Sequence, residues 1–123
     1  MTSTIGTPAK AAYPDHLDRD EIRVIDALIL DAIAAGYPVS VCDGEEWSVK
    51  RSYDYEEITG GVGHTDETTI RVSDEANDRR ADFILIHGNM PSEVIADMTD
   101  TTFARQIAAR AETVARALEA EGK

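Results

Sequence analysis

The stretch "VSVCDGEEWSVKRS", residues 39–52, sets three acids, the only tryptophan and two bases side by side. One chemistry for such a run is metal-dependent cleavage of nucleic acid, which places a carboxylate and a lysine two apart on one strand. Here Glu46 and Lys50 are four apart. They share a strand face at roughly 13 Å, too far to work on one Mg²⁺. The chain's net charge of −12 would also repel a polyanionic substrate. Thiol catalysis would need Cys42 activated, but no helix N-terminus or CxxC lies near it and Asp43 disfavours the thiolate. The expectation for Cys42 is a small, semi-buried side chain. His16, His64 and His87 lack metal-binding spacing, and Asp43 and Glu45 lack the pattern of a calcium loop. "GGVGH" has no phosphate-binding lysine. The reading is therefore no enzyme, no metal and no cofactor, with His87 a hydrogen-bonded histidine near the end of a strand.

Carboxylates are the stronger signal. From Asp43 to Asp78 the chain carries Asp43, Glu45, Glu46, Asp54, Glu56, Glu57, Asp66, Glu67, Asp74, Glu75 and Asp78, opposed before Arg79 only by Lys50, Arg51 and Arg71. Most fall in expected turns or a short helix, so they should project from the rim of a sheet. Duplex DNA carries one charge per ~1.7 Å of axis, and a carboxylate rim could partly imitate it. The first ten of these acids, with Trp47, are the candidate partner-binding residues. Solubility alone is the competing reading of the same acids. Trp47 has two readings, a core residue under a helix or an anchor on a partner. Alternation with Val49 favours the first.

The elements that must position these residues are legible from periodicity. Residues 1–16 are small and polar with two prolines and read as a flexible arm ahead of one domain, 17–121. A helix is expected over 19–35, with Asp18 and Glu21 at capping-box spacing and Ile22, Ile25, Leu28, Ile29, Ala32 and Ile33 on one face. Strands follow at 38–42 and 46–52, turned by Asp43 and Gly44, with Trp47 and Val49 sharing a face. Asp54 and Glu57 repeat the capping-box spacing before a short helix that glycines limit. Three further strands are expected at "TTIRVS", "DFILIHG" and "EVIADMT", the second apolar enough to be paired twice or covered on both faces. A last helix, about 101–120, is expected to be capped by Thr99 or Asp100 and to bury Phe103, Ile107, Ala111, Val114 and Leu118. The class is α+β, order α-β-β-(short α)-β-β-β-α. An antiparallel sheet of about five strands should carry both terminal helices on one face.

Composition narrows the function classes. With 24 Asp and Glu against 12 Lys and Arg, nucleic acid and anionic membrane are disfavoured as direct partners, and basic proteins are favoured. One cysteine rules out an internal disulfide and fits a reducing, cytoplasmic location. The N-terminus does not read as a secretory signal, and no apolar run is long enough for a membrane span.

The set "SVCDGEEWSVKRS…TDETTIRV…FILIHGN…EVIADMTD", over roughly residues 20 to 118, resembles small acidic proteins of phages, plasmids and integrated elements. Proteins of this size, acidity and fold type include anti-CRISPR and anti-restriction inhibitors. That resemblance implies a non-enzymatic inhibitor that occupies the basic nucleic-acid channel of a host defence complex, such as a CRISPR effector or restriction system. The alternative is a structural or regulatory adaptor of a mobile element, possible as a homodimer through the open sheet face, without mimicry.

Overall fold

Asp18 opens the first helix as expected: its carboxylate accepts from the Asp20 and Glu21 backbone N–H groups. In the computed structural model, which describes residues 11–88 and 90–121, helix α1 spans Arg19–Ala34. It ends where Gly36 takes a φ of +88°, a conformation that favours glycine. Strands β1 (Val39–Asp43) and β2 (Glu46–Ser52) form a hairpin, and a short helix α2 (Tyr55–Gly60) follows. Strands β3 (Glu67–Asp74), β4 (Arg79–Ile86) and β5 (Ile95–Met98) lead to helix α3 (Thr102–Glu121). The α+β class and the element order are as the sequence reads. Two details differ. The last helix is capped by the Thr101 hydroxyl, which accepts from Ala104 N–H, rather than by Thr99 or Asp100. The fifth strand is shorter than expected because residues from Pro91 to Glu93 form a 3₁₀ turn.

The sheet order is β2-β1-β3-β4-β5, antiparallel throughout. β4 is paired twice, which is why "DFILIHG" could be so apolar. It is covered on one face only. That face carries Val39, Val41, Val49, Ile70, Val72, Ala81, Phe83 and Leu85, all buried in one core with α1 and α3. Small residues on α3, among them Ala104, Ala108 and Ala111, are fully buried and let the two long helices approach closely. Each buried aliphatic or aromatic side chain contributes roughly 1.5–3 kcal/mol, so the single covered face supplies most of the driving force.

Of the arm expected over 1–16, residues 1–10 lie outside those described. Ala12 N–H donates to the Thr59 hydroxyl at 2.7 Å, and the Tyr13 hydroxyl donates to Asp26 Oδ1 at 2.8 Å. Tyr55 donates to the same oxygen at 2.5 Å. Burial first, and the Asp26 carboxylate second, push both phenols above their ordinary range. The unfolded chain releases these protons near pH 10 while the folded chain retains them. Their stabilisation is thus complete below about pH 10 and is lost as pH rises further. Replacing Tyr13 and Tyr55 by Phe should flatten the fall in melting temperature between about pH 9 and about pH 11, followed by circular dichroism. A slope equal to that of the native chain would count against this assignment.

Candidate functional site

The hairpin departs from a regular ladder at two places. Val41 pairs with Val49 but Cys42 pairs with Trp47, so Ser48 is an extra residue. A bulge of this kind reverses the facing of every residue beyond it. Trp47 therefore lies on the face opposite Val49, away from the helices, correcting the expectation that the two share a buried face. It is half-buried there beneath Arg71, whose guanidinium sits 4.5 Å from the ring centroid. Arg71 in turn donates to Asp82 through Nε at 2.8 Å and Nη2 at 3.1 Å. The second irregularity surrounds Arg51, at φ +52°, whose N–H donates to the Ser40 hydroxyl.

The candidate acids sort by what holds them. Asp43 ends β1, and the turn residues proper are Gly44 and Glu45. Its carboxylate accepts from His64 N–H at 3.0 Å, Thr65 N–H at 3.2 Å, the Thr65 hydroxyl at 3.0 Å and the Thr68 hydroxyl at 3.2 Å. It binds the hairpin tip to the loop after α2. Asp54 caps α2 by accepting from Glu56 and Glu57 N–H. Glu57 accepts from the Ser52 hydroxyl instead of reaching back to its own cap. Asp74 is buried and accepts from Arg79 and Asn77, which hold its carboxyl below the usual range. Glu75 is paired with Arg51. These five acids serve the fold.

The rest are free. Glu45, Glu46, Glu56, Asp66 and Glu67 are exposed, and among the described residues none of them has an ion-pair partner. Four of the five come to one end of the sheet. Gly44 N–H donates to Glu67 O, and Asp43 pairs with Thr68, so the tip with Glu45 and Glu46 lies beside Asp66 and Glu67. Glu56 stands apart on α2.

Beneath that end runs a polar chain that the sequence reading did not assemble. Glu21, 2% exposed, accepts from Gly88 N–H at 3.1 Å and is paired with His87 Nδ1. His87 Nε2 is 2.8 Å from the Thr68 hydroxyl, which also meets Gly63 N–H and Asp43. The capping-box spacing suggested Glu21 would close on its own helix; it faces inward and joins α1 to the end of β4. Carboxylate, imidazole and hydroxyl are in the order of a nucleophilic relay. Thr68 is completely buried, however, so its hydroxyl meets no solvent-borne substrate. The chain acts as a clamp between α1, β4, β3 and the hairpin tip.

Cys42 is half-buried on the uncovered face, and partial burial with Asp43 beside it raises its thiol above the ordinary value. His64 and His87 are both engaged elsewhere. No group of three His, Cys, Asp or Glu that could hold a metal occurs among the described residues. A groove of about 210 Å³ lies between α3 and the turn at Pro91, and open grooves of about 400 and 430 Å³ lie beside Arg79 and Arg80, the larger two within the roughly 300–1,000 Å³ of small-molecule sites. No helix among the described residues is long and apolar enough to cross a membrane. No protein-family model matches the chain, and no curated protein or solved structure shows significant similarity to it.

Proposed function

We propose that this chain is a non-enzymatic binding protein whose acidic end docks on the basic nucleic-acid-binding surface of a host defence complex. Anti-CRISPR and anti-restriction inhibitors, which include proteins of this size, acidity and fold type, commonly work in this way. The observation that carries the reading is the gathering of Glu45, Glu46, Asp66 and Glu67 at one end of the sheet without internal cations. Internally paired acids offer little to a partner, because their charge is already matched. Free ones offer Lys and Arg a surface in place of phosphate. Neighbouring strands lie about 4.8 Å apart, which spaces these carboxylates by roughly 5–10 Å and lets them follow part of a phosphate track. Of the tied acids only Asp43 acts behind this surface; Asp74 and Glu75 lie at the other end of β3, Asp54 and Glu57 serve α2, and Glu56 extends the surface at most to one side.

The test is affinity capture from bacterial lysate at low salt, with bound proteins identified by mass spectrometry. Native protein should recover a nucleic-acid-processing complex that duplex DNA or added salt displaces. The variant with Glu45, Glu46, Asp66 and Glu67 all changed to Lys should bind the recovered complex at least ~100-fold more weakly, because each reversal replaces an attraction by a repulsion. Equal recovery of the same partners by both proteins would remove the mimicry reading.

A further inference from the structure

The face of the sheet away from the helices is covered by no element among the described residues, and its charge differs from that of the rest of the chain. By strand alternation and register it carries Lys50, Arg71 and Arg80 against Glu67, Asp82 and Asp97, three of each sign. The pair of Arg51 with Glu75 at its rim is balanced too. The whole excess of −12 therefore lies outside this face. Two copies of the chain repel one another through the acidic end of the sheet and are neutral to one another through this face. Its centre has the composition of a protein interface. Trp47 lies under the Arg71 guanidinium, and Cys42, Ile84 and Ile86 are half-buried with no element of the described residues packed over them. A basic partner or a nucleic acid would require one sign of charge here. Equal numbers of both signs suit a partner with the same pattern, which a second copy supplies.

We infer that the occupant of this face is a second copy of the chain, packed sheet on sheet around a two-fold axis along the strands between β3 and β4. Arg71 and Asp82 are directly paired in register, as are Thr69 and Ile84. Rotation about that axis therefore sets Arg71 of each copy opposite Asp82 of the other, and Thr69 opposite Ile84. The contact is isologous, as a closed dimer requires. Sheets so stacked lie about 10 Å apart, a gap that the half-buried Trp, Ile and Thr side chains fill. The dimer leaves Glu45, Glu46, Asp66 and the helices of both copies exposed and takes in only Glu67 of the acidic end, so variants at Arg71, Asp82 and Thr69 test it separately from the binding role of the acids.

Sedimentation of the full chain at about 0.15 M salt, from about 1 μM to about 1 mM, reads the proposal directly. Mass should rise from 13.4 kDa toward twice that value. Trp47, the only tryptophan, should shift its emission to shorter wavelength over the same range. Arg71→Glu alone and Asp82→Arg alone should each remain single chains, because each sets like charges opposite one another. Mixing the two should restore the dimer, since every facing pair is then opposite in sign. Thr69→Arg, which leaves the ion pair intact, should also remain single and covers the case in which a charge variant fails to fold. A native chain that stays single to about 1 mM would overturn the inference. So would a dimer that persists unchanged in Thr69→Arg.

Discussion

Changing Glu21 to alanine is expected to cost about 3–5 kcal/mol of folding stability, the loss typical of removing one member of a buried, paired charge. The native total for a domain of this kind is about 5–15 kcal/mol, so the variant should be visibly compromised. The reason lies in what Glu21 leaves behind. His87, with its side chain 7% exposed, loses its acceptor in a place water does not reach easily, and the Gly88 N–H, on an exposed residue, loses its acceptor too. Glu21→Gln should cost less, because its amide oxygen can still accept one of these bonds. Asp18→Ala removes only a helix cap and should cost about 1 kcal/mol. Urea unfolding of Glu21→Ala, His87→Ala and the double variant checks the assignment. A coupling of about 0.5–3 kcal/mol between the two positions is expected. A near-zero coupling would mean that Glu21 stabilises the fold through its helix and not through His87.

That clamp shows where one-dimensional reading stops. Glu21 sits three residues after Asp18, and the spacing was indistinguishable from a capping box. Whether the glutamate turns back to its own cap or inward to a histidine 66 positions away depends on the packing of α1 on the sheet. His87 was legible as a hydrogen-bonded residue near a strand end, but its partners were not. Helices and strands were legible because burial on one face imposes periods of 3.6 and 2 on the residue types. Val39, Val41, Ile70 and Val72 obeyed the period and were placed correctly. Trp47 followed it as well, until the extra residue Ser48 moved it to the other face. A bulge leaves the alternation of residue types intact while changing which side each one occupies. The acids were legible as a group for the opposite reason, that composition needs no geometry. Their division into five tied and five free carboxylates required the positions of the donors, and several of those donors are backbone N–H groups that carry no sequence signature.

Asp43 gives that division its most direct test. Asp43→Ala is expected to lose about 2 kcal/mol of stability, less than the sum of four charge-assisted hydrogen bonds because water can reach the exposed His64 and Thr65 amides. Amide hydrogen exchange at His64 and Thr65 should accelerate, whereas the core strands exchange only as fast as the lower global stability dictates. A carboxylate that contacted a partner directly would show the reverse, with unchanged stability and a large loss of binding. Asp43 is instead expected to affect binding indirectly. Its hydrogen bonds hold the tip bearing Glu45 and Glu46 against the loop that leads to Asp66 and Glu67. Asp43→Asn keeps one oxygen acceptor and the shape of the turn, so it should lie between the native chain and Asp43→Ala in both stability and exchange. If Asp43→Asn left stability and exchange at native values but weakened partner capture as much as reversing Glu45, Asp43 would belong with the contact acids. Its place at the junction of hairpin, loop and β3 predicts that the two readouts move together.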